Sequence, residues 1–134
     1  MLRTLKKLLF RAEGQEEIEA QPGERASFTL LFGKLEVGAL KLHDGIWEFR
    51  YSQPFREQVS TDGGVSPLID FPDPERTYSS DELWPFFVAR IPSLSQPQVL
   101  AEVERRGLDQ KSAPQLLRAF GERSIANPFL LKAG

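Results

Sequence analysis

Few side chains in this 134-residue sequence have the type and spacing to do chemistry, and they fall in two places. The first is His43, the single histidine, followed at once by Asp44-Gly45. A catalytic base needs a third group to orient it, whereas Asp-Gly is the pair that a two-residue hairpin turn demands. His43 is therefore expected at the exposed end of a strand. Without a second histidine, His-cluster metal sites and most Ser/His nucleophilic schemes have nothing to work with. The second place is the run of Asp70, Asp73, Glu75, Asp81 and Glu82, dense enough to suggest a hard-cation site or an acid/base pair. Their order is not that of a calcium loop, and turn and helix-cap roles account for most of them.

Other chemistry lacks its components. The chain has no cysteine, which removes disulfides, thiolate nucleophiles, iron–sulfur clusters and the usual structural zinc sites together. Gly33, Gly38, Gly63 and Gly64 have the spacing of neither a P-loop nor a dinucleotide fingerprint, and the kinase signatures are missing as well. No catalytic, cofactor-binding or metal-binding residue is assigned, and a protein that is not an enzyme is expected. A net charge of -2 and a pI near 5.5 oppose a generic nucleic-acid surface, which needs a basic face. No apolar run approaches the roughly 20 residues that span a bilayer, and Leu8-Leu9-Phe10 is too short for a secretory core. A soluble, cytoplasmic protein is the expectation.

What stands out instead is an apolar surplus in Asp81 to Ser93, DELWPFFVARIPS. On a helix from Leu83 to Ile91, one stripe would hold Leu83, Phe86, Phe87 and Ile91, and a second Trp84, Val88 and Ile91. One stripe is enough to face a core. The segment should therefore be wholly buried, or packed on its own domain with one side and on something else with the other.

The elements that must position this segment have an α+β order. Residues 1 to 22 are expected as an N-terminal extension, a short basic amphipathic helix or a flexible arm, before an ordered domain over residues 23 to 134. Phe28, Leu30 and Phe32 alternate as in a strand, and Gly33-Lys34 offers a turn or a bulge. A second strand runs over 35 to 42 with a less clean inside face. After the Asp44-Gly45 turn, Trp47, Phe49 and Tyr51 share one face and Ile46, Glu48 and Arg50 the other. Pro54 is expected to end that strand, and Thr61 to Gly64 to form a loop. Prolines at 67, 72 and 74 keep the next run extended, as a short edge strand or a strap anchored by Leu68, Ile69 and Phe71. Ser79 to Glu82 has capping-box spacing, so a helix starts there and kinks at Pro85, or starts near Trp84 with Pro85 in its first turn. Ser95 and Ser112, each followed two residues later by proline, cap two more helices, and 125 to 131 closes the chain as an extended segment. The sum is a small antiparallel sheet, a meander or a partly closed barrel, packed against about three helices.

This ordered set resembles the N-terminal region of HipA-type toxin kinases. The better matches are Val37-Gly38-Ala39-Leu40 before the hairpin turn, Ser66-Pro67-Leu68 in the strap, and Pro85-Phe86-Phe87; Trp47 to Tyr51 and Leu116 to Gly121 add to them. The resemblance covers about residues 28 to 131. It departs after the Phe-Phe pair, where Arg90-Ile91-Pro92-Ser93 replaces the usual Leu-Pro-Glu-Gly turn. The chain is similar to stand-alone versions of this region, the HipS-type antitoxins. The resemblance implies a non-catalytic protein, monomeric when alone, that neutralises a separate HipA-like serine/threonine kinase of the HipT type. A HipB-like DNA-binding protein would complete the complex, without direct nucleic-acid contact by this chain. Glu82, Trp84, Pro85, Phe86, Phe87 and Arg90 are the expected partner-binding residues, at or under the contact surface. The alternative is an accessory component of a DNA-binding repressor assembly, with a basic face from the first eleven residues, Arg105-Arg106 and Arg118-Arg123.

Overall fold

A computed structural model describes residues 23 to 61 and 64 to 134. The expected N-terminal helix and the tip of the 61–64 loop lie outside the described residues. Five strands form one antiparallel sheet in the order β4-β3-β2-β1-β5: β1 (Ala26–Phe32), β2 (Leu35–His43), β3 (Ile46–Tyr51), β4 (Tyr78–Ser80) and β5 (Leu130–Ala133). Four helices accompany them among the described residues: α1 (Gln53–Ser60), α2 (Pro85–Val88), α3 (Pro97–Arg106) and α4 (Ala113–Phe120). The fold is α+β as expected, and the sheet stays open, with β4 and β5 at its two edges, rather than closing into a barrel.

The β2–β3 hairpin follows from its turn residues. Asp44 and Gly45 take φ of 53° and 77°, the two left-handed positions that give a turn the twist of its flanking strands. His43 is exposed there, and its Nδ1 lies 3.0 Å from the Asp44 carboxylate. Trp47, Phe49 and Tyr51 all point into the core, as their alternation predicts.

The unclean inside face of β2 has a physical cause. Leu30 pairs with Gly38 but Leu31 pairs with Glu36, so Val37 is an extra residue in the ladder. A bulge shifts the inward positions by one: Val37 is buried before it, and Gly38, Leu40 and Leu42 after it. Gly38 is needed there, because a Cβ would lie 2.7 Å from the Arg50 carbonyl oxygen and 2.7 Å from Cζ of Phe49.

Pro54 ends β3, as expected, but it also opens a helix that the expectation omitted. Ser52 is the N-cap of α1, its Oγ accepting from Phe55 N at 3.2 Å, and Pro54 sits in the first turn where its missing N–H costs nothing. The capping box expected at Ser79 is also corrected. Ser79 and Ser80 belong to β4, pairing with Glu48 and Trp47, because the edge of β3 offers a ladder that a cap cannot match. Residues 65 to 74 make a strap without strand pairing. Helix α4 is capped by Ser112, whose Oγ accepts from Gln115 N, whereas α3 is capped by Gln96 rather than Ser95, without a side-chain bond. The core lies on the helix-covered face of the sheet, where Phe28, Leu30, Leu40, Trp47 and Phe49 meet Phe71, Phe87, Val103, Leu116 and Leu117.

Candidate partner-binding surface

The segment that carries the apolar surplus is only briefly helical. Trp84 is the N-cap of α2, with Pro85 as its first residue, and a single turn ends at Val88. Proline is pre-set for that position and has no N–H to waste, so the later of the two expected helix starts is the one adopted. Asp70 completes the start, its Oδ2 accepting from Phe86 N at 3.1 Å.

Placed this way, the six expected partner-binding residues separate into two groups. Glu82 and Pro85 are exposed, and Trp84 and Phe86 are half-buried. Phe87 and Arg90 lie inside the fold, under that surface rather than on it. Phe87 packs between Phe49 and Phe71, with ring centroids 5.9 and 6.1 Å away. One short turn puts successive side chains about 100° apart, so Phe87 faces the sheet while its neighbours on either side face outward.

Arg90 is 4% exposed, and its guanidinium is a hub for the C-terminal segment. Nε donates to the Gly121 carbonyl at 2.8 Å, Nη1 to Asn127 Oδ1 at 3.3 Å, and Nη2 to the carbonyls of Glu122 and Phe129. Burial lowers its pKa from the usual arginine value, but a guanidinium satisfied by a fan of oxygens stays charged. Its hydrocarbon and charge also meet Phe86, with Cζ 5.8 Å from the ring centroid. The effect is to bring Phe129, and beyond it Phe32, beside Phe86: ring centroids are 5.7 Å apart for Phe86–Phe129 and 5.3 Å for Phe32–Phe129. Phe32 and Phe129 extend the half-exposed aromatic surface: Phe32 was marked only by its alternation with the buried Phe28 and Leu30, and its meeting with Phe129 joins chain positions almost a hundred residues apart.

On the other side of α2, Trp84 stands edge-on to Phe71 at 4.9 Å, and Phe71 is fully buried. The strap carrying Phe71 is held by Tyr51, whose hydroxyl donates to the Phe71 carbonyl at 2.6 Å and accepts from Leu68 N at 2.8 Å. Burial pushes the Tyr51 pKa up from 10 to about 12. A raised acid pKa means that the folded state keeps a proton which the unfolded chain gives up, so stability is full below pH 10 and falls from 10 to about 12. Alkaline unfolding of Tyr51→Phe should show a smaller loss across that interval, alongside a lower starting stability of about 1–3 kcal/mol from the two orphaned backbone groups. Equal alkaline slopes in the two proteins would show that Tyr51 titrates normally.

Two of the five carboxylates, Asp70 and Asp73, hold backbone N–H groups. Besides Asp70, Asp73 Oδ1 accepts from Glu75 N at 2.9 Å, and Glu75 lies 3.7 Å from Arg56. Among the described residues no group of His, Asp and Glu side chains could hold a metal ion, and no helix is long and apolar enough to cross a membrane. Of the expected basic clusters, Arg105 and Arg106 both bond Glu102, holding its carboxyl down at about 2, and Arg106 also lies over Phe120 at 5.9 Å. The first eleven residues lie outside the described part.

Comparison with known families matches the model described as the HipA N-terminal domain to residues 29–126. The search of curated proteins gives no match.

Proposed function

Since the chain belongs to the HipA N-terminal domain family, we propose that it is a non-catalytic antitoxin that binds and neutralises a separately encoded HipA-like serine/threonine kinase. The family fits a toxin–antitoxin setting. The observation that carries the finer reading is the half-exposed Trp84 beside Phe86, on a segment whose inward side is already filled by Phe87. Large aromatics with one face packed and one face open are what protein contacts use as anchors. The DNA-assembly alternative has less support, because the Arg105-Arg106 pair is already committed to Glu102. In this reading a HipB-like protein is bridged through the kinase, without contact between this chain and nucleic acid.

Size-exclusion chromatography of the protein with a HipA-like kinase encoded beside it tests the reading, together with the kinase's autophosphorylation rate. A stable complex and a suppressed rate are expected; no complex at micromolar concentration sinks the proposal. Trp84→Ala should weaken binding by about 1–3 kcal/mol, roughly 5- to 150-fold, while lowering stability less than a buried aromatic would. Full inhibition by Trp84→Ala would remove Trp84 from the contact.

A further inference from the structure

The expected anchors of the strap divide unevenly. Phe71 is buried and Leu68 half-buried, but Ile69 is 96% exposed. Single exposed aliphatics are common on protein surfaces and need no explanation in themselves. The way this one is held is different.

Ile69 is the second residue of a tight turn closed by Phe71 N donating to the Leu68 carbonyl at 3.0 Å. Both ends of that turn are gripped from below by the Tyr51 hydroxyl, on a side chain only 1% exposed. The remaining residue, Asp70, is tied to Phe86 N at the start of α2. Ile69 thus projects from a turn whose other three residues are each fixed, next to the strap residue that packs on Trp84. Fixing a backbone in advance lowers the entropy lost when its side chain is buried by a partner. Charge says what kind of partner. Residues 69 to 84 carry five carboxylates and one arginine, Arg76, whose guanidinium lies over the Tyr78 ring at 5.1 Å; Arg56 reaches Glu75 at 3.7 Å, and the balance stays acidic.

We propose that the 68–71 turn is a preformed apolar finger whose tip, Ile69, enters an apolar pocket rimmed by basic side chains on the partner kinase. This rests on the kinase-binding reading above and adds a contact to it. Trp84 and Ile69 then form one binding face, with Tyr51 as a positioning residue beneath it.

Calorimetric titration of the kinase with the wild type, Ile69→Ala and Tyr51→Phe tests the finger. Ile69→Ala should bind about 10–30-fold more weakly with an unchanged melting temperature, because the side chain touches solvent in the free protein. Tyr51→Phe should weaken binding too, although Ile69 is still present, through loss of the fixed turn. Raising salt from about 0.05 to 0.5 M should slow wild-type association, as screening weakens attraction between an acidic face and a basic one. Wild-type affinity in Ile69→Ala overturns the finger and leaves the kinase reading standing, whereas no binding by the wild type overturns both. Salt-independent association removes the basic rim, and unchanged binding by Tyr51→Phe removes the role of the clamp. If the isolated wild type proves dimeric and Ile69→Ala monomeric, the tip serves a second copy of this chain and the proposal fails.

Discussion

Arg90→Ala should lower the free energy of unfolding by roughly 3–5 kcal/mol, because it removes every bond of a buried guanidinium at once and leaves the Gly121 and Phe129 carbonyls without that donor. The carbonyls of Gly121, Glu122 and Phe129 and the amide oxygen of Asn127 all turn toward the guanidinium. Glu122 still accepts from Leu131 N at 2.9 Å and Asn127 Oδ1 from Phe129 N at 3.1 Å, but alanine replaces none of the guanidinium's bonds and leaves a cavity the size of the lost side chain. Arg90→Lys should recover only part of the loss, since a compact ammonium cannot reach acceptors spread around a planar fork. The damage should begin at β5. Among the described residues that strand pairs only with β1, and it is reached through the segment that Arg90 fastens, so its amides should lose hydrogen-exchange protection before those of β2 and β3. Denaturant unfolding and hydrogen exchange measure both effects. A stability change under about 1 kcal/mol, with β5 protection retained, would show that the C-terminal segment holds itself in place.

The second large effect is expected at Phe87. Phe87→Ala should cost roughly 3–5 kcal/mol, since the ring is fully buried and packs on Phe49, Phe71 and Phe86. Any loss of kinase binding should then follow the loss of folded protein. Trp84→Ala, three residues away in the same motif, should do the opposite: a smaller stability loss and a larger binding loss per folded molecule. Melting temperature and affinity measured on both variants separate support from contact. If Phe87→Ala melts like the wild type, the ring is not the floor of the surface.

Much of the fold was legible in the residues. The Asp44-Gly45 turn and the alternation of Trp47, Phe49 and Tyr51 are local signals, and local geometry decides both. Helices α3 and α4 carry proline in the first turn, and α4 also has its Ser112 cap. The misses have one origin, competition between a local signal and a distant one. Ser79 and Ser80 have the chemistry of a cap but found the free edge of β3, and Ser52-Gln53-Pro54 has the chemistry of a helix start but sits where a strand ends. The bulge at Val37 depends on the register between two strands and has no mark of its own beyond the blurred alternation of β2.

The candidate surface divides in the same way. By itself the sequence determined that the 81–93 segment holds more apolar surface than one core face can use, and that Pro85 either kinks its helix or opens it, because composition and backbone restriction are properties of the chain alone. It also determined the family to which those motifs point. Only the tertiary structure decided which side chains face which way. Phe87 goes down because Phe49 and Phe71 leave a place for it, Arg90 is drawn in by carbonyls from residues 121 to 129, and Ile69 stays out because Tyr51 grips the turn on either side of it. Those partners are separated from the segment by up to 39 residues of sequence, and an interaction across that distance exists only once the chain has folded.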